Sequence, residues 1–207
     1  MSNSFKISIL GERNVGKTSI VTAYTKNEFS FQTLETTGIE TCYKKKTFDE
    51  VEYTFKIFDT AGQERYNSIS STTIQMADGF FMVFAVDNRK SFERIVTWIK
   101  YIEDYVNLEE KVIFIIGNKS DVKQEEREIT KEEAENLAKG YQAKYLETSA
   151  YTREGINDAF EKMFTDIYEM KKPSNNKNNN DNKNSNIVID RDSYIKENKK
   201  KKKCLCF

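Results

Sequence analysis

Gly11-Glu12-Arg13-Asn14-Val15-Gly16-Lys17-Thr18 is the stretch that decides the fold of this chain. It matches G-x-x-x-x-G-K-[ST], and it lies between Phe5 to Leu10, which reads as a strand, and Lys17 to Thr25, which reads as a helix. Glycines are needed there because the loop must bring its backbone N–H groups against phosphate oxygens without an obstructing Cβ, and the helix N-terminus adds a favourable dipole. On this reading Gly11 to Thr18, with Ser19, cradle a nucleotide's phosphates. Lys17 reaches the β- and γ-phosphates, and the Thr18 hydroxyl ligates Mg²⁺.

Outward from this loop, the first 170 residues alternate short apolar runs with longer segments of helical spacing, the pattern of an α/β fold. Thr41 to Phe48 and Val51 to Phe58 read as two antiparallel strands joined by a tight turn at Asp49 and Glu50. Phe80 to Val86 and Val112 to Ile116 are near-continuous apolar runs, which suit parallel strands covered on both faces. Ser91 to Tyr105 reads as helical, and Thr130 to Tyr141 opens with Thr130 and Glu133 at capping-box spacing. Ile156 to Met170 closes the domain as an amphipathic helix whose stripe of Ile156, Ala159, Phe160, Met163, Phe164 and Ile167 packs the core.

Two more segments carry chemistry. Asp59 follows the strand ending at Phe58 and opens Asp59-Thr60-Ala61-Gly62-Gln63-Glu64. A carboxylate at that edge of an open α/β sheet is placed to hold Mg²⁺ through water, and Gly62 leaves its N–H free to approach a γ-phosphate. Asn118-Lys119-Ser120-Asp121 follows the strand ending at Ile116-Gly117. The Asp121 carboxylate can accept from the guanine N1–H and exocyclic amine, a donor pair adenine does not offer. Lys119 would lay its stem over the ring and help pin the phosphate loop, and Glu147-Thr148-Ser149-Ala150 would supply N–H groups to the guanine O6.

Composition narrows the chemistry. The 207 residues contain no histidine, which excludes imidazole acid/base catalysis, a Ser-His-Asp triad and imidazole zinc sites. No run approaches the ~18 apolar residues of a membrane span, and Met1 to Leu10 lacks the layout of a secretory signal, so a cytosolic location is expected. The zero net charge is partitioned: residues from Lys171 onward hold 11 Lys and Arg against 4 Asp and Glu, leaving 22 against 29 before them. An acidic body with a basic tail argues against nucleic-acid binding and for a tail that meets an anionic surface.

From Pro173 the composition shifts to Asn, Lys, Asp and Ser, too polar to bury a core, and we read residues 171–207 as a disordered tail following a domain of residues 4–170. The tail ends in Lys199 to Lys203 and Cys204-Leu205-Cys206-Phe207, a C-a-a-X pattern beside a polybasic patch. Two processing routes remain open: removal of the last three residues with Cys206, or lipidation of both Cys204 and Cys206.

The ordered set of motifs resembles the Ras superfamily of small GTPases over about residues 4–170. Asp59 to Tyr66 and the cysteine-terminated tail look most like the Rab branch. The resemblance implies a P-loop NTPase small G domain. Its sheet would have six mostly parallel strands with one antiparallel edge strand, flanked by about five helices. It also implies binding of GTP/GDP with Mg²⁺, slow GTP hydrolysis and a monomeric switch that recruits effectors to a membrane. By motif position it assigns Gln63 to orienting the attacking water, Phe29 to the guanine, and Thr36 to Mg²⁺ and the γ-phosphate. The implied partners are an exchange factor, a GTPase-activating protein, effectors on segments 29–40 and 62–72, a prenyltransferase and a GDP-dissociation inhibitor.

Departures from the Rab pattern are Arg13 where a small residue is usual, Thr37 for isoleucine, Phe58 for tryptophan, Cys42 near a usual phenylalanine, and Tyr151 for lysine. Phe84 to Asn88 is similar to Ras proper. Arg13 either crowds Gln63 and an incoming arginine finger or substitutes for that finger. Competing readings are a scaffold that holds GTP without useful turnover, a Ras-like signalling GTPase, and an ATP-using P-loop kinase, the last disfavoured by Asn118-Lys119-x-Asp121.

Overall fold

Apolar residues at alternate and then consecutive positions make Ser4–Leu10 a strand, β1, whose second half is wholly buried. The structure, a computed structural model, describes residues 3–30, 39–60 and 70–172. The chain divides into two units, Met1–Lys172 and Pro173–Phe207, and every helix and strand described belongs to the first.

After β1 come α1 (Lys17–Lys26), β2 (Ile39–Phe48), β3 (Val51–Thr60), α2 (Ser71–Met76) and β4 (Gly79–Ala85). Then come α3 (Arg89–Glu93), α4 (Ile95–Glu103), β5 (Val112–Asn118), α5 (Lys131–Gly140), β6 (Lys144–Thr148) and α6 (Ile156–Lys171). The strands form one sheet in the order β2-β3-β1-β4-β5-β6. β2 pairs antiparallel at the edge and the other five strands run parallel, as the family resemblance implies.

Local chemistry explains the elements. The β2–β3 hairpin turns on Asp49 and Glu50, both at positive φ (45° and 65°), the signature of the primed turn that matches strand twist. Every residue of β4 and β5 is buried, in keeping with the continuous apolar runs. The α6 stripe, with Tyr168 added, covers one face of the sheet. Phe160 stacks on Tyr24 and Phe164 on Phe55, each with centroids 4.0 Å apart.

Three differences from the sequence reading have physical causes. The helix expected over 91–105 begins at Arg89, where the Asn88 side chain accepts from the Ser91 N–H, and is interrupted at Arg94. Hydrogen bonds from Arg94 N to Lys90 O and from Trp98 N to Arg94 O carry the ladder across the interruption, so α3 and α4 act as one of five helices. α2 was not foreseen, because its six residues are rich in Ser and Thr and too few to show a period; a Ser70 cap on Thr73 N starts it. β3 continues two residues past Phe58 because Ile39 and Glu40 pair with Thr60 and Asp59, which puts Asp59 inside the strand.

The expected capping box on α5 is complete: Thr130 accepts from Glu133 N, and the Glu133 carboxylate accepts from Thr130 N. Thr130→Ala is expected to cost about 1 kcal/mol. A lower urea midpoint at unchanged slope checks this, and an unmoved midpoint would show the box to be idle.

Candidate functional site

The strand order turns about β1, which has β3 on one side and β4 on the other. In open α/β sheets the crevice beyond the strand ends at such a switch point is where ligands bind. Residues 11–16 leave β1 at that point and lead into α1.

Gly11 has φ +146°, and a Cβ there would lie 2.1 Å from the carbonyl oxygen of Val83 on β4. Gly16 has φ +94°, and its Cβ would meet the Asn118 side-chain nitrogen at 2.3 Å. Only glycine fits at both ends of the loop. The loop is fastened from across the sheet, where Asn118 Nδ2 donates to Val15 O at 2.8 Å. The Asn118 Oδ1 accepts from Thr148 Oγ1 and, at 3.3 Å, from Ala150 N, joining the loop to the end of β6.

Lys17 is 5% exposed, and its Nζ donates to Gly11 O at 3.0 Å and Glu12 O at 2.8 Å. Burial pushes its ammonium down to about 8, against the pull of the Asp59 and Glu12 carboxylates. A polyanion in the loop would offset this burial cost and favour the charged ammonium. Asp59 is 2% exposed; burial raises its pKa, and the Thr18 hydroxyl bonded to it and nearby Lys17 oppose the rise.

Asp59 Oδ1 has no hydrogen-bond partner among the described residues. An orphaned carboxylate oxygen beside a threonine hydroxyl is a hard-oxygen donor set that fits Mg²⁺ completed by phosphate oxygens and water. Thr18 and Asp59 are the residues that would hold it.

Beside the phosphate loop lies a cavity of about 480 Å³ lined by Phe29, Asn118, Lys119, Asp121, Ala150 and Tyr151, among others. Its size suits a nucleoside. The Ser149 hydroxyl donates to Asp121 Oδ1 and so fixes the carboxylate that would read the base. Ser149 N–H is taken by Glu154 O at 3.0 Å and Ala150 N–H by Asn118 Oδ1 at the longer 3.3 Å, so Ala150 N–H is the more weakly held candidate for a base oxygen.

Lys119 lines the cavity, but its ammonium pairs with Asp87 (3.1 Å) rather than with the phosphate loop, and Asn118 is the residue that pins the loop. Glu12 meets Arg94 Nε at 3.3 Å; Asn14 and Ser19 line the cavity. Thr36, Gly62, Gln63, Lys199 to Lys203, Cys204 and Cys206 lie outside the described residues.

The sequence reading missed the orienting roles of Ser149 and Asp87. Asp87 shares with Asp59 the signal that could have found it, a carboxylate at the C-terminal end of a buried parallel strand.

A glycine-rich loop on a buried lysine, a carboxylate at a strand end with one oxygen unpartnered among the described residues, and an adjoining cavity that Asp121 lines define a P-loop nucleotide-binding domain. The chain belongs to the Ras family, whose pattern it matches over residues 6–169. It is 34% identical over 172 residues to Ras-related protein Rab-11C of Dictyostelium discoideum, covering 82% of this chain and 76% of that one. It is 36% identical over 177 residues to Ras-like protein rasC of the same organism, covering 85% and 91%. Human Ras-related protein Rab-15 is 33% identical over 159 residues, covering 77% and 74%. Members of this family are small GTPases that bind GTP and GDP with Mg²⁺.

Proposed function

We propose that this chain is a Rab-like switch that hydrolyses GTP slowly and, in its GTP state, recruits effectors to the cytoplasmic face of an endomembrane. The observation that carries the reading is the juxtaposition of buried Lys17 and the Thr18–Asp59 pair with the cavity that Asp121 lines. Phosphate charge and a purine edge would thus be met by adjoining groups beyond the C-terminal ends of the strands.

Phosphoryl transfer to water needs positioning and charge neutralisation more than covalent help. Lys17 and the loop N–H groups hold the phosphates, and Gln63 orients the water. Thr18, Thr36 and Asp59 would hold Mg²⁺, which would offset the negative charge on the phosphates. Asp121 selects guanine by accepting from its N1–H and amine. Turnover is slow because these motifs provide no clear arginine finger, leaving a GTPase-activating protein to supply one.

The γ-phosphate orders segments 29–40 and 62–72 through Thr36 and Gly62, and hydrolysis releases them. Cys204 carries lipid, with Cys206 as well where the last three residues are retained, beside Lys199 to Lys203, each lysine adding ~1 kcal/mol of attraction to an anionic leaflet. Loading with a non-hydrolysable GTP analogue is expected to protect both segments from hydrogen exchange relative to GDP. Equal protection in the two states would remove the switch reading.

A further inference from the structure

Two contacts join the loop after β6 to the segment after α1 beside the base cavity. Phe29 and Tyr151 both line the cavity, and their rings meet edge to face with centroids 5.4 Å apart at 69°. Tyr151 is 54% exposed. Two residues on, Arg153 NH1 donates to Asn27 Oδ1 at 2.7 Å and to Asn27 O at 3.2 Å. Asn27 caps the end of α1 at φ 58°, and Arg153 sits at φ 69°, so both residues hold the left-handed conformation that places this contact.

Phe29 therefore has a partner ring, and the backbone that carries Phe29 is tied down two residues earlier. An edge-to-face aromatic pair offers a planar base two different surfaces, the face of one ring and the edge of the other. Burial of a base against such a surface slows its departure more than its arrival, since interface changes act mostly on dissociation.

We propose that Tyr151 closes over the guanine base with Phe29, that the Arg153–Asn27 contact fastens this closure, and that the two together set the rate of nucleotide release. Tyr151 touches the nucleotide; Arg153 and Asn27 are positioning residues. An exchange factor acting on this chain has to part the 149–153 loop from residues 27–30. The inference rests on the nucleotide-binding reading and adds to it a determinant of nucleotide residence.

The test is displacement of N-methylanthraniloyl-GDP from the full chain by excess GDP in Mg²⁺. Tyr151→Ala is expected to speed release about tenfold, the scale of aromatic–base stacking, with a smaller change in association. Tyr151→Phe, which keeps the ring, should restore slow release. Arg153→Ala should speed release about threefold, Asn27→Gly, which keeps the left-handed backbone and the carbonyl that also accepts from Arg153, by less, and the two together no more than Arg153→Ala alone.

Release from Tyr151→Ala within about twofold of wild type, or additive effects of Arg153→Ala and Asn27→Gly, would overturn the closure while leaving nucleotide binding intact. A wild-type chain that takes up no labelled GDP would overturn the nucleotide reading itself, and the closure with it.

Discussion

Lys17→Met is expected to lower affinity for GTP by about 100- to 10,000-fold, from two lost contacts at ~1.5–3 kcal/mol for each hydrogen bond to a charged group, and affinity for GDP by about 10- to 100-fold, from the one contact its β-phosphate makes. The same change should leave the stability of the nucleotide-free fold nearly unchanged, because two contributions oppose each other. The Lys17 ammonium is buried and its pKa is pushed down to about 8, so without a bound polyanion the fold disfavours this charge rather than being held together by it. Methionine keeps the straight stem and removes the cation, at the cost of leaving Gly11 O and Glu12 O without their donor. Isothermal titration with GDP and Mg²⁺, beside urea unfolding without nucleotide, separates the two effects. Undiminished GDP affinity would remove Lys17 from the phosphate site, and matched losses of affinity and stability would make it a structural residue.

The fold was legible where a local pattern has one structural solution. The runs Phe80 to Val86 and Val112 to Ile116 are apolar on both faces, and only strands covered on both sides bury them; β4 and β5 are those strands. Asp49 and Glu50 separate two β-rich runs by two residues, which leaves a tight hairpin as the connection. α2 was illegible because Ser71–Met76 is shorter than two turns and its start depends on one serine cap. The Arg94 interruption was illegible for a different reason, since no proline or glycine marks it.

At the site, the phosphate loop and the Asn118 to Asp121 segment were readable because their chemistry is packed into a few consecutive residues. The contacts that orient them were not. Asn118 reaches Val15 across 103 positions of sequence, Ser149 reaches Asp121 across 28, and Arg153 reaches Asn27 across 126. Such pairs exist only because the sheet order places β1 between β3 and β4 and lines up the ends of β5 and β6. Tyr151 shows the same limit: the sequence marks it as a departure, and its meeting with Phe29 makes it a candidate wall of the cavity.

Asp121→Asn should invert base selection. In the wild type the carboxylate offers two acceptors, and the Ser149 hydroxyl bonded to Oδ1 holds its orientation. Asparagine has nearly the same shape, and its Oδ1 can still accept from Ser149, which turns the amide nitrogen toward the base as a donor. Guanine presents donors at N1 and at its 2-amine, so donor would face donor and the buried pair would be left unmade. Xanthine carries a carbonyl oxygen in place of the 2-amine and accepts from the new amide. A site built to hydrogen-bond a polar edge rejects a mismatched edge by factors on the order of 10⁴. GDP affinity is therefore expected to fall by about 10³-fold or more, with xanthosine diphosphate binding the variant more tightly than GDP does. Lys119 and the Asn118–Val15 bond are untouched by the change, so phosphate binding should persist and the variant should remain a nucleotide-binding protein with altered preference. Competition among guanosine, xanthosine and adenosine diphosphates in Mg²⁺ measures all of this in one experiment. If adenosine diphosphate competes with GDP on equal terms in the wild type, or if the variant keeps its preference for guanine, Asp121 is not the group that reads the base.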